Sequence, residues 1–156
     1  MKTEQNEMME RNELKLVGFS IVESLNQVME TMSVGKLRME LANRMEEIEN
    51  RIGTGMYLLQ IYPQDGHWTP DVPYRHVIGC DVAAFGDIPD EMTTYTVLRG
   101  RYVKIVHQGP ESQLAATYDY INKTYGVRPI DIEYWDDLDA LESESGRIEL
   151  FIPANR

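Results

Sequence analysis

Three features of the sequence predict an α+β fold made of two strand–helix–strand–strand modules. Short apolar runs with strand-like alternation are interspersed with two longer stretches of helical periodicity. The helical stripes Leu41, Met45, Ile48, Ile52 and Leu114, Tyr118, Ile121, Tyr125 have the same spacing and a constant offset of 73 residues. A glycine follows each stripe at that same offset (Gly53 and Gly126), and each glycine is followed by another strand-like run.

The elements follow in order. Residues 1–11 are polar and mixed in charge and are read as a loose leader, so one domain is expected over 12–156, with halves at about 12–86 and 92–156. Residues 13–22, Glu-Leu-Lys-Leu-Val-Gly-Phe-Ser-Ile-Val, form a strand with one strongly apolar face. Ser24 and Gln27 have capping-box spacing, which starts a helix, and Ser33 with Gly35 marks a break in it. From Leu37 the helical stripe runs to Ile52, and Gly53 is expected to stop it by accepting positive φ. Residues 56–62 and 74–85 then read as strands.

In the second half, residues 100–107 form a strand, Gly109-Pro110 turns the chain, and proline suits the first turn of the following helix. Gly126 ends that helix, and strands follow at 130–135 and 147–152. Neither half covers its own sheet, so the two are expected to pack as one domain, related by a pseudo-two-fold around a ligand groove.

Composition narrows the function. The chain has 156 residues, 42% of them hydrophobic, enough for a substantial core. No apolar run approaches the ~18 residues of a membrane span, the opening residues lack the apolar core of a secretory signal, and a cytoplasmic protein is expected. Cys80 is the only cysteine, which rules out an internal disulfide or a thiolate metal cage and marks it as a small core residue. The formal charge of −11, with no basic stripe, argues against direct binding to nucleic acid. His67, His76 and His107 have no metal-ligand spacing, and no phosphate-cradling loop or serine elbow is present. No metal or cofactor is expected.

The offset of 73 pairs Gln60 with Glu133 and Tyr62 with Trp135. Alternation along a strand puts Glu133 and Trp135 on one face and Ile132 and Tyr134 on the other. The apolar set Leu59, Ile61, Ile132 and Tyr134 is expected to meet the helices. Glu133, Trp135, Gln60 and Tyr62 are then expected to point away from them, into the groove. Tyr102 faces oppositely to Val103 and Ile105 and is a candidate for the groove, with a core position as the alternative. Trp68, in the loop Gly66-His67-Trp68-Thr69-Pro70, is a candidate to cover the pocket, with loop packing as the alternative.

On these residues the chain resembles the gyrase-inhibitor-like (GyrI-like) small-molecule-binding domains, also found as effector-binding domains of AraC-type and multidrug-responsive regulators. Gly100-Arg101-Tyr102-Val103-Lys104-Ile105-Val106-His107-Gln108-Gly109-Pro110 looks like the family's glycine–x–tyrosine strand. Thr117-Tyr118-Asp119-Tyr120-Ile121 is similar to its helix signature, Ile132-Glu133-Tyr134-Trp135 to its aromatic–Glu–x–Tyr strand, and residues 148–153 to its closing strand. Tyr74 to Val82 carries a weaker likeness. Ile132 replaces the usual aromatic residue and Trp135 the usual tyrosine, and the tryptophan often found on the first helix has no counterpart between Ser24 and Ile52.

The resemblance implies a groove between two modules with Glu133 as its central acid. It also implies a small hydrophobic or cationic ligand, bound by a stand-alone sensor or sequestering protein. Two alternatives accompany that reading. One is a hydrolase opening strained cyclopropanoid molecules, with Glu133 as acid or base and Tyr102 or Tyr62 assisting. The other is a protein-interaction inhibitor of DNA gyrase; a regulator protein is a further possible partner. A carboxylate between ring faces attracts an organic cation, whereas desolvation favours the neutral acid.

Overall fold

The computed structural model describes residues 2–3 (backbone only), 6–63 and 68–154. Among these, nine antiparallel strands form one sheet: β1 Lys2–Thr3, β2 Glu7–Arg11, β3 Leu14–Glu23, β4 Met56–Ile61, β5 Tyr74–Asp81, β6 Thr93–Val97, β7 Gly100–Gln108, β8 Ile130–Trp135 and β9 Arg147–Pro153. Three α-helices join them: α1 Leu25–Thr31, α2 Ser33–Arg44 and α3 Leu114–Tyr125. The class is α+β.

The strand order is β7-β9-β8-β4-β5-β3-β6, with β1 and β2 both paired along the free edge of β7. Strands β4 and β8, which follow the helices of the two halves, meet at the centre. Their register pairs Leu58 with Glu133, Leu59 with Ile132 and Gln60 with Asp131. This strand order is compatible with the repeat read from the sequence. Between β3 and β5, Gly18 faces Gly79. A Cβ at Gly18 would lie 1.9 Å from the Ile78 carbonyl oxygen, so the strands approach more closely there than a side chain permits.

Both sheet faces are buried. One carries Val17, Phe19, Met56, Leu58, Ile78, Ile105, Ile148 and Leu150 against Leu41 of α2 and Leu114 and Ile121 of α3. The other carries Leu16, Leu59, Val77, Ile132 and Phe151 in a cluster that also includes Val97 of β6 and Tyr102 of β7. Strands near both ends of the sheet order contribute to that second cluster, which contains no helix residue.

The helices start much as expected. Ser24 caps α1 in a reciprocal box with Gln27, and the break falls at Met32, whose φ of 58° is left-handed, just before Ser33. Gly126 ends α3 at φ 71°, its N–H bonded to the Asn122 carbonyl oxygen.

Three expectations need correction. The helix read through Ile52 ends at Arg44, followed by one 3-10 turn over Met45–Glu47. Glu46, Glu47 and Glu49 would crowd the negative end of a longer helix. The Ile52 N–H instead bonds the Asp81 carbonyl oxygen and Arg51 bridges to Val82, drawing the backbone onto the sheet. Gly53 therefore turns the chain into β4 without capping a helix, and Ile52 is half exposed. Second, residues 7–11 of the supposed leader are strand β2, held by pairing to β7 and by Arg11, whose guanidinium lies 4.2 Å over the Phe151 ring. Third, the assignment of sheet faces is reversed, as the site makes plain.

Candidate functional site

Glu133 is 3% exposed and sits on the helix side of the sheet, beneath α3. Its Oε2 accepts from the Tyr118 hydroxyl at 2.5 Å and from the Gln60 amide at 3.3 Å. Its Oε1 accepts from the Trp135 indole N–H at 3.0 Å. The Gln60 amide also donates to the Tyr118 oxygen at 2.7 Å. Glu133, Gln60 and Trp135 thus share a face, as alternation required, but they point toward the helices and not away from them. The apolar pattern was no guide to direction: Met56, Leu58 and Ile78 on this side are as apolar as Leu59 and Val77 on the other.

A cavity of about 580 Å³ opens on this face. Its floor is Leu58, Gln60, Glu133 and Trp135, one wall is Leu25, Val28 and Met29 of α1, and the opposite wall is Leu114, Ala115 and Tyr118 of α3. The two helices flank the centre of the sheet without covering it, and that gap forms the cavity. At one end Tyr62, Trp68 and Tyr74 form a ring cluster with centroids 5.0–6.3 Å apart. Trp68 is 42% exposed there, at the solvent side.

Beside this cluster, Asp131 is 1% exposed. It pairs with the Arg128 guanidinium through both oxygens, the longer contact at 2.8 Å, and accepts from the Tyr62 hydroxyl at 2.7 Å. Arg128 also donates to the Gly126 carbonyl oxygen at 2.7 Å, tying the end of α3 to the site. Above Trp135, the Arg38 guanidinium lies 4.7 Å from the ring and is held by Glu111 through two bonds of 2.7 and 3.0 Å.

Burial pushes the Glu133 carboxyl up to about 7, against the opposing pull of the Tyr118 and Trp135 hydrogen bonds. Burial, and then the neighbouring Glu133 and Asp131, push the Tyr118 phenol well above its ordinary value. His76, also on the cavity, is lowered by burial. His107 is fully buried and bonded at both ring nitrogens, to Thr117 and to the Pro110 carbonyl oxygen. Cys80 is fully buried in the helix-side core. Among the described residues no group of three His, Cys, Asp or Glu converges as metal ligands would.

Of the six residues singled out in the sequence, Glu133, Trp135, Gln60, Tyr62 and Trp68 all line the cavity. Tyr102 does not: it is buried in the cluster on the opposite face, so the core alternative holds for it. Gly66 and His67 lie outside the described residues. Tyr118, Asp131 and Arg128 were not anticipated. Asp131 shares the face of Glu133 two residues away, a signal that alternation contains; Tyr118 lies on its helix's apolar stripe and in the stretch that resembles the family's helix signature, and neither assigns its hydroxyl a role.

Among solved structures, the DNA complex of EcmrR is matched over 96% of this chain at a TM-score of 0.64 and 15% identity, and the chain spans 56% of that protein's length. The structure of SAV2435 bound to tetraphenylphosphonium is matched at 0.69 and 17% identity, covering 97% of this chain and 94% of that one. A hydrolase from Listeria innocua is matched at 0.56 and 12% identity, covering 97% and 92%. At such identities the likeness is one of fold. No curated protein matches in sequence. No helix among the described residues is long and apolar enough to cross a membrane. The model of the GyrI-like small molecule binding domain matches residues 7–154, and the chain belongs to that family.

Proposed function

We propose that the cavity binds an amphipathic organic cation bearing a single positive charge, and that the protein works as a ligand sensor or sequestering protein. One observation carries the reading: the Glu133 carboxylate is buried among three hydrogen-bond donors with no Lys or Arg paired to it among the described residues. The other charged side chains at the cavity are compensated, Glu111 by Arg38, Arg128 by Asp131 and Asp119 by Lys123. One negative charge is therefore left for a ligand to match. Burying a charge without a partner is costly, and a cationic ligand supplies the partner.

The rings contribute as well. Arg38 already occupies one face of Trp135, so the aromatic surface for a ligand is the Tyr62, Trp68 and Tyr74 cluster. Each such ring face attracts a cation by about 0.5–2 kcal/mol. The cavity volume falls in the range of about 300–1,000 Å³ usual for small-molecule sites. The neighbour bound to tetraphenylphosphonium supports the same ligand class.

Both tryptophans of the chain line the cavity, so their fluorescence reports on it. Titration with tetraphenylphosphonium is expected to change the emission of the wild type saturably. The affinity is expected to fall about 10–100-fold in Glu133→Gln, or about 1.4–2.7 kcal/mol, because the charge-to-charge attraction in a part-buried site is lost. Equal affinity in the two proteins would refute the assignment.

A hydrolase is the second reading, favoured by the Glu133 value near 7 and by the Tyr118 hydroxyl on its Oε2, since a general acid or base works best near ambient pH. Tyr118 takes the assisting role in that case, because Tyr102 is on the other face and the Tyr62 hydroxyl is bonded to Asp131. Turnover of a strained electrophile that is abolished in Glu133→Gln would support it; stoichiometric binding without product would end it.

A further inference from the structure

A second cavity, of about 540 Å³, lies on the face of the sheet opposite Glu133. Tyr57 and Phe151 of the helix-free cluster line it, together with the half-exposed Ile52. Most of the charged side chains on it are matched: Lys15 pairs with Glu13, Lys104 with Glu149 and Glu10 with Arg99. Two are left over, of opposite sign. Among the described residues no carboxylate pairs with Arg11, and no Lys or Arg pairs with Asp81. Both side chains line the cavity and both residues are partly exposed, so neither is sealed from what enters it.

Arg11 is held in place for a partner it lacks. Its guanidinium lies 4.2 Å from the Phe151 ring and 5.4 Å from the Tyr57 ring, and it donates to the Tyr57 hydroxyl oxygen at 2.8 Å. That is its one side-chain hydrogen bond among the described residues, so the rest of a donor fork suited to carboxylates is uncommitted. The Tyr57 hydroxyl accepts there, and no described residue takes its proton. Tyr57 pairs with Gly79 across β4 and β5, and alternation makes Asp81 the next residue of β5 on that face. Such diagonal neighbours are about 7–8 Å apart at the backbone, so one small molecule can touch both. Burial raises the Asp81 carboxyl above its ordinary value, and its own backbone N–H and Arg11 only partly offset this. An ammonium beside it would supply the missing stabilisation.

We infer that this second cavity binds a free α-amino acid with an apolar side chain, its carboxylate on Arg11 and the Tyr57 hydroxyl, its ammonium on Asp81 and its side chain toward Ile52. A simple anion would leave Asp81 unmatched, and a simple cation would leave Arg11 so. A zwitterion matches both. The inference is independent of the cation reading, because Glu133 belongs to the cavity on the other face.

The experiment uses three probes with one phenylethyl skeleton: L-phenylalanine, 3-phenylpropionate, which lacks the ammonium, and 2-phenylethylammonium, which lacks the carboxylate. Each is titrated into the 15N-labelled full chain while the Arg11 Nε–H and the backbone amides of Tyr57 and Asp81 are followed. L-Phenylalanine is expected to shift these resonances saturably and to leave the emission of both tryptophans, which line the other cavity, unchanged. Each singly charged probe is expected to bind there at least about tenfold more weakly, the loss of one hydrogen-bonded charge. That comparison is made on the wild type and does not depend on a variant folding. Arg11→Gln and Asp81→Asn are each expected to weaken L-phenylalanine by a similar factor, and Glu133→Gln to leave it within about twofold.

No saturable shift with L-phenylalanine up to its solubility would overturn the inference. So would a singly charged probe that binds as tightly at these resonances, or an Asp81→Asn variant with wild-type affinity. None of these results bears on tetraphenylphosphonium binding at Glu133, which is tested separately.

Discussion

Cation affinity should depend on pH through Glu133 in a way that few other groups reproduce. Burial holds the folded-state value at about 7, so only about one site in ten carries the charge at pH 6 and about nine in ten at pH 8. A permanent cation binds the ionised form, and the apparent dissociation constant scales inversely with that fraction. Tetraphenylphosphonium, which cannot itself titrate, should therefore bind roughly nine- to tenfold more weakly at pH 6 than at pH 8. Close to one proton should be released per cation bound at pH 6 and almost none at pH 8.5. Calorimetry in two buffers of different ionisation enthalpy counts these protons directly. In Glu133→Gln the affinity should be low and flat over the same range. A wild-type profile without this slope, or proton release that survives in Glu133→Gln, would refute the assignment of the charge to Glu133.

Other expectations concern stability and the groups around the acid. Between the ordinary carboxyl value of 4.5 and about 7 the folded protein holds a proton that the unfolded chain releases, so wild-type stability should fall as pH rises through this window and level off above it. The full fall is about 3 kcal/mol, and denaturant melts of Glu133→Gln should lack it. Tyr118→Phe removes a donor that favours the charged carboxylate, so the midpoint of the affinity profile should move to higher pH. Asp131→Asn leaves the Arg128 guanidinium without its buried partner and should cost about 3–5 kcal/mol by denaturant melt. Gly18→Ala forces a Cβ onto the Ile78 carbonyl and should destabilise by about 3 kcal/mol, the upper end of overpacking costs.

Much of this was legible in the sequence, and the gaps have physical causes. Capping at Ser24, the break before Ser33 and the glycine stop of α3 are local chemistry, and they were read correctly. The end of α2 is decided by a contact between residues far apart in sequence: Arg51 and Ile52 pair with the end of β5, and helical periodicity in the sequence cannot register that competition. Strand β2 has weak alternation because it is an edge strand with one partner, so its polar sequence reads as leader. Strand β6, Thr-Thr-Tyr-Thr-Val, went unremarked although its β-branched and aromatic residues favour a strand.

The site shows the same division. Alternation grouped Glu133, Trp135 and Gln60 on one face, which is a property of a single strand or of one register. Which face the helices cover depends on the whole sheet. Runs such as Met56-Tyr57-Leu58-Leu59, with every residue buried, give no direction. Tyr118 has helical spacing that suits a core residue equally well, and only the hydroxyl's position above Glu133 reveals its part in the site.

The most direct measurement is a crystal structure with tetraphenylarsonium, whose arsenic can be located by anomalous scattering. The arsenic is expected in the cavity between α1 and α3, with a phenyl ring against Tyr62, Trp68 or Tyr74 and the Glu133 carboxylate as the nearest charge. An arsenic peak on the other face of the sheet, or an empty cavity in crystals of a protein that binds the cation in solution, would contradict the proposal that Glu133 is where the ligand is held.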